Sequence, residues 1–173
     1  MKKKIKLLVS DIDGVLTDGK IFLINPYNGQ EVKSLCFKDF DAVGMLKEIR
    51  VGLCLITGED NSFVDEVERR FSPIFCYRGC KKKMEAIEEI CRQTNIEMGE
   101  IAYIGDGKYD LPVIEAVGLG MCPKDAIHEV KSISDIKLKT KGGCGCLAEA
   151  FTIIYKYNRS IQNRVERHNI SKN

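Results

Sequence analysis

Apolar residues come along this chain in short blocks, several of them stopped by a serine, threonine or glycine. Ile5, Leu7, Leu8 and Val9 form the first block, closed by Ser10 and Asp11. Val51 to Ile56, Pro73 to Tyr77, Ile101 to Ile104, Val117 to Met121 and Ile136 to Leu138 repeat it. Short runs that are apolar on both faces predict buried parallel strands. Between them the apolar period changes. Val43, Leu46 and Ile49, then Phe63, Val64, Val67 and Phe71, then Met84, Ile87, Ile90 and Cys91, each fall on one helical face. The first of these helices is predicted from Asp41, with Asp39 or Asp41 as its cap. Leu147, Phe151, Ile154 and Tyr155 begin a last helix, followed by a polar, basic tail over 159–173. One segment breaks the strand–helix alternation: Lys20 to Ile24, a turn at Asn25-Pro26-Tyr27-Asn28-Gly29, and Glu31 to Phe37 read as a β-hairpin over 20–37. Both arms carry apolar side chains, and a lone hairpin is marginal in water, so it needs a partner surface. The expectation is one α/β domain over 1–158, a doubly wound parallel sheet with a β-hairpin insertion.

Composition adds mainly exclusions. With 173 residues the chain can bury a full core without disulfides. Its 27 basic and 25 acidic residues leave a formal charge of +2, too little to argue for nucleic acid or a membrane as partner. The apolar run behind the N-terminal lysines is too short for a signal peptide or a membrane span, which predicts a cytoplasmic protein. Of the eight cysteines, Cys36, Cys54, Cys91 and Cys122 sit in apolar segments and read as reduced core thiols. Cys76, Cys80, Cys144 and Cys146 lack CxxC spacing and lie in two separate elements, a poor pattern for zinc.

The candidate chemistry lies where strands end. Asp11 and Asp13 stand one residue apart at the carboxyl end of the first strand, the edge at which open α/β sheets bind ligands. Two carboxylates this close repel unless a cation lies between them, and a hard divalent ion such as Mg²⁺ prefers oxygen ligands. Turn or capping aspartates are the alternative. Thr57-Gly58 follows the second buried strand. A basic cluster, Arg78, Lys81, Lys82 and Lys83, precedes a helix that one of the lysines opens. Gly105-Asp106-Gly107-Lys108-Tyr109-Asp110 follows a further strand, and Thr140-Lys141-Gly142-Gly143-Cys144-Gly145 makes a flexible loop.

In order and spacing, Asp11 with Asp13, Thr57, Lys83, and Asp106 with Asp110 resemble the four motifs of the haloacid dehalogenase superfamily. The stretch Asp11 to Gly19, the hairpin, Phe37 with Asp41 and Gly44, Ile56-Thr57-Gly58, Tyr77-Arg78-Gly79, Asp110-Leu111-Pro112 and Lys141-Gly142-Gly143 resemble its small branch without a cap domain. That branch holds octulosonate 8-phosphate and nonulosonate 9-phosphate phosphatases. The resemblance implies a Rossmann-like fold and Mg²⁺-dependent hydrolysis of a phosphorylated sugar acid. Asp11 would be the nucleophile, and Asp13 the general acid and base. Thr57, Gly58 and Lys83 would hold the phosphoryl oxygens, with Asp13 also meeting the substrate. The metal would be held by Asp11, Asp106 and the backbone carbonyl of Asp13, and Asp110 would orient the metal shell or Lys83. It also implies a homotetramer in which hairpins meet and neighbours complete each pocket. Gly107 stands where many relatives have a second Asp. Phe40 and Ala42 replace the Arg and Gly flanking Asp41, and Cys144 takes the place of an Arg that would suit a sugar carboxylate. A second expectation from the same resemblance is a non-catalytic oligomerisation module, as in the C-terminal domain of sialate cytidylyltransferases.

Overall fold

The first strand explains the rest of the architecture. Leu7, Leu8 and Val9 are wholly buried, so β1 (Leu7–Ser10) must be covered on both faces and flanked on both edges. The computed structural model describes residues 3–25 and 30–170, with the side chains of Gln30 and 165–170 outside that description. Within it β1 pairs in parallel with β4 (Gly52–Ile56) on one side and β6 (Ile101–Ile104) on the other. β5 (Phe75–Tyr77) extends the sheet beyond β4, while β7 (Leu119–Cys122) and β8 (Ile136–Lys137) extend it beyond β6. The order β5-β4-β1-β6-β7-β8 places the reversal of winding between β1 and β6. Crevices open at such reversals, outside the strands' carboxyl ends.

Alternation along the strands separates the two cores. Leu8, Leu53, Leu55, Ala102 and Ile104 face α1 (Phe37–Glu48), α2 (Ser62–Phe71) and α6 (Cys146–Ile170). Leu7, Val9, Cys54, Ile56, Ile101 and Tyr103 face α3 (Lys83–Thr94), α4 (Leu111–Ala116) and α5 (His128–Ile133). Fully burying each Leu or Val of β1 contributes roughly 2 kcal/mol, so the strand that carries Asp11 is among the best anchored in the sheet. α2 starts where Asn61 accepts hydrogen bonds from the Phe63 and Val64 amides, and ends at Ser72 in the left-handed region. α6 runs on as far as Ile170, so residues 159–170 continue this helix. No described helix is long and apolar enough to cross a membrane, and all eight cysteines are free thiols.

The hairpin strands are β2 (Phe22–Asn25) and β3 (Gln30–Val32), antiparallel; of the turn expected at 25–29, Asn25 ends β2 and 26–29 lie outside the described residues. Its second arm is shorter than the sequence suggests. Phe37 belongs to the first turn of α1, which begins four residues before Asp41 and whose N-cap, Cys36, makes no side-chain capping bond. Neither Asp39 nor Asp41 caps it. Asp39 lies on the buried face with Ala42, Val43 and Leu46 and caps α6 instead, accepting from the Leu147 and Ala148 amides at 2.8 and 3.3 Å. A carboxylate on the inward stripe masks the helical period. Asp41 is exposed, and Phe40 packs against Phe71 of α2.

Candidate active site

Four loops converge at the carboxyl ends of β1, β4, β5 and β6. Asp11, Asp13, Thr57, Gly58, Lys83 and Tyr109 are among the residues lining a cavity of about 210 Å³, together with Glu59, Cys80 and Lys81. Asp11 follows β1 directly, its amide bonded to the Ile104 carbonyl, so the β1–β6 pairing fixes where its carboxylate starts. The chain then turns through Gly14 at φ +80°, a conformation that L side chains rarely adopt. A Cβ on Gly14 would lie 2.1 Å from the Asp106 carboxylate, so glycine here is what lets the β1 and β6 loops close on each other. Gly142 serves the same purpose from the other side: its Cβ would fall 2.2 Å from the Gly14 carbonyl, and Gly143 donates to the Val15 carbonyl at 2.9 Å.

Lys83 opens α3 with its side chain only 4 % exposed. Its ammonium lies 2.6 Å from Asp11 Oδ2 and 2.7 Å from Asp110 Oδ1. Burial disfavours that charge, but the two carboxylates prevail and raise its pKa. The rest of the basic cluster goes elsewhere. Arg78 turns to Asp60 and Asp65, Lys82 pairs with Glu85, and Lys81 lines the cavity. Asp110 is fully engaged. Its Oδ1 accepts from Lys83 and from the buried Tyr103 hydroxyl at 2.5 Å, and its Oδ2 from the Asp106 and Gly107 amides at 3.0 and 2.9 Å. A carboxylate so occupied shapes the loop and holds the lysine.

Asp11, Asp106 and Asp110 bring carboxylate oxygens within 4.8 Å of one another. Burial pushes the Asp11 carboxyl up to about 7, Lys83 opposing and Asp110 and Asp106 adding to the rise. Burial likewise lifts Asp106 to about 6, with Asp110 adding to it. This is an excess of buried negative charge built from hard oxygen donors, and the donor set fits Mg²⁺. The Asp13 side chain is outside the cluster. Its Oδ1 accepts from Lys33 at 2.8 Å and from Thr17 at 3.4 Å, so only its backbone carbonyl is placed by the resemblance in a metal shell. Thr57 follows β4, where its amide bonds the Tyr77 carbonyl and its carbonyl accepts from Cys80, tying the β4 and β5 ends together. Its hydroxyl accepts from the Glu59 amide at 3.0 Å.

The sequence did not single out Tyr103 or Lys33. Tyr103 reads as core in an apolar strand, and only its hydroxyl, which must be satisfied when buried, hints at more. Lys33 reads as an ordinary hairpin lysine.

Comparison with known proteins agrees with this geometry. The family model for haloacid dehalogenase-like hydrolases matches residues 68–148. The 3-deoxy-D-manno-octulosonate 8-phosphate phosphatase of Haemophilus influenzae is 30% identical over 155 residues, covering 88% of this chain and 83% of that protein. The chain belongs to the haloacid dehalogenase-like hydrolases. Within that family it falls in the octulosonate 8-phosphate phosphatase-like branch and is a phosphoric monoester hydrolase. The Moraxella catarrhalis octulosonate 8-phosphate phosphatase, solved with magnesium, phosphate and KDO, superposes with a TM-score of 0.83 at 27% identity. The match covers 95% of this chain and 93% of that one. The cobalt-bound Haemophilus influenzae enzyme gives 0.83 at 30% identity over 90% of each chain. This hydrolase therefore shares the capless architecture of those phosphatases.

Proposed function

We propose that this hydrolase is a Mg²⁺-dependent phosphatase acting on a phosphorylated sugar acid, an octulosonate 8-phosphate or nonulosonate 9-phosphate, through an aspartyl-phosphate on Asp11. The observation that carries the reading is the Lys83 ammonium, buried and shared between Asp11 and Asp110 at the floor of a cavity rimmed by Thr57 and Gly58. A carboxylate nucleophile beside a fixed cation is what a two-step phosphoryl transfer needs.

In the first step an Asp11 oxygen attacks phosphorus, the Asp11 O–P bond forms, and the ester P–O bond to the sugar breaks. Asp13 gives its proton to the departing sugar oxygen. In the second step Asp13 takes a proton from water as that water attacks the same phosphorus, releasing inorganic phosphate and restoring Asp11. The Thr57 hydroxyl, the Gly58 amide and the Lys83 ammonium hold the phosphoryl oxygens, where negative charge spreads in a loose transition state. Asp110, held by Tyr103 and two amides, keeps Lys83 in place. Mg²⁺ held by Asp11, Asp106 and the Asp13 carbonyl would supply the positive charge this acidic cluster lacks.

The hairpin and the start of α1 support a homotetramer. Phe22, Ile24 and Phe37 are 63%, 61% and 78% exposed, with Ile21, Leu23 and Val32 beside them, an apolar surface that association would bury. Light scattering showing an active monomer would contradict the tetramer. The eight free thiols suit the reducing cytoplasm, where we place the enzyme. A purely oligomeric module is not favoured, because such a module has no need of a buried Lys83 aligned on Asp11.

The test is phosphate release with Mg²⁺ from a panel holding octulosonate 8-phosphate, nonulosonate 9-phosphates and p-nitrophenyl phosphate, with wild type beside Asp11→Asn. Turnover of one sugar acid phosphate, lost in the variant, is expected. No release from any of them would overturn the reading.

A further inference from the structure

Lys33 is a second buried ammonium at this end of the molecule. Its side chain is 6 % exposed, and its Nζ lies 2.8 Å from Asp13 Oδ1 and 3.6 Å from a Glu31 carboxylate oxygen. The Phe63 ring, in the first turn of α2, lies 5.4 Å from the same nitrogen. One side chain thus ties the hairpin to the β1 loop and to α2. A lysine head buried this far gives up hydration, and here it is compensated by carboxylates and an aromatic face.

The contact is specific to one oxygen of Asp13. Thr17 is wholly buried, and its hydroxyl accepts from the Gly14 and Gly19 amides while reaching the same Oδ1 at 3.4 Å. That long bond is a weak restraint on a carboxyl whose terminal torsion is soft. The short, charge-assisted bond from Lys33 is the strong one. With Oδ1 pinned from two sides, Oδ2 is the oxygen left to carry and pass a proton.

We propose that Lys33 is a positioning residue for both proton transfers of the reaction: it fixes the Asp13 carboxyl through Oδ1 and so directs Oδ2 to the departing sugar oxygen and then to water. The inference rests on the reading of Asp13 as acid and base. It also gives the hairpin a direct part in the chemistry, since Lys33 reaches Asp13 only when β3 is folded against the β1 loop.

Leaving groups separate this role from a merely structural one. A sugar alkoxide departs with a proton from Asp13 as the Asp11 O–P bond forms, whereas p-nitrophenolate departs without one. The value of kcat/KM reports the steps up to phosphoryl transfer onto Asp11. For Lys33→Met, kcat/KM is expected to fall about 100-fold with the phosphosugar acid that wild type turns over, within the range of general acid catalysis. It should fall only about 3-fold with p-nitrophenyl phosphate. Lys33→Arg keeps the charge but shifts the donor, and should show the same selectivity at about 10-fold; it carries the test if Lys33→Met does not fold. Equal losses on the two substrates, or no loss on either, would overturn the proposal. Asp11→Asn measured alongside separates the two readings. If it is inactive on both substrates, the aspartyl-phosphate route stands whatever Lys33 does; full activity in that variant would remove the route and this proposal with it.

Discussion

Asp11 and Asp39 are both buried carboxylates, and their surroundings differ in the one respect that matters for chemistry. Asp11 meets the Lys83 ammonium at 2.6 Å, has Asp106 and Asp110 as neighbours, and opens onto a cavity. Asp39 lies between α1 and α6, accepts from two amides through Oδ1, and leaves Oδ2 without a hydrogen-bond partner. Burial pushes its carboxyl up to about 6, with those amides pulling the other way. A buried acid that caps a helix joins two elements, while one that shares a cation at a strand end can attack. Burial alone does not mark a site; the company of the charge does.

The comparison breaks most visibly in the nucleophile. Asp11→Asn is expected to lower kcat at least about 10⁴-fold while the melting temperature changes little, because Lys83 keeps Asp110. Asp39→Asn should leave phosphate release within a few-fold of wild type. A large activity loss in Asp39→Asn with unchanged folding would show that the two carboxylates are not so different.

Lys83→Met comes next. It removes a phosphoryl ligand and leaves Asp11 and Asp110 without their shared cation. Activity should fall roughly 10³-fold, and chemical denaturation should show a loss of about 3–5 kcal/mol, the usual cost of breaking a buried pair. Loss of activity with no loss of stability would mean that the ion pair is absent in solution.

A smaller effect distinguishes Asp39 by pH. Its folded pKa is raised above the unfolded value near 3.9, so the native state binds the extra proton between about pH 4 and pH 6. Stability from this group is therefore present below that window and falls as pH rises through it. Wild type should lose up to about 3 kcal/mol relative to Asp39→Asn between pH 4 and pH 7, read from denaturant midpoints. A pH-independent difference between the two proteins would contradict the burial of an ionisable Asp39.

Smallest is Tyr103→Phe, which removes one of the donors to Asp110. A stability loss of about 1–2 kcal/mol and a drop in kcat of roughly tenfold are expected, since Asp110 keeps its two amides and Lys83. An effect as large as that of Lys83→Met would place Tyr103 nearer the chemistry than its hydrogen bond suggests.

Most of the candidate site was legible because strand ends are legible. Asp11, Asp13, Thr57, Gly58, Asp106 and Asp110 each follow an apolar block or lie in the loop it ends in, and parallel pairing of those blocks brings them together. Lys83 was assigned through the resemblance, and in the structure its burial between Asp11 and Asp110 sets it apart from Lys81 and Lys82. What escaped depends on contacts between distant segments. Lys33 meets Asp13 twenty residues away through a hairpin fold that periodicity does not specify. The start of α1 was missed because Asp39 sits on its inward face, where an apolar residue was expected; its partners, the Leu147 and Ala148 amides, come from the far end of the chain.

The most direct measurement is to mix wild type with substrate labelled in its phosphoryl group, quench in acid within the first turnover, and digest the protein. Label retained on the peptide containing Asp11, and absent from Asp11→Asn, is the expected result. Labelled inorganic phosphate appearing with no label on the protein at any quench time, or label on another residue, would contradict Asp11 as the nucleophile.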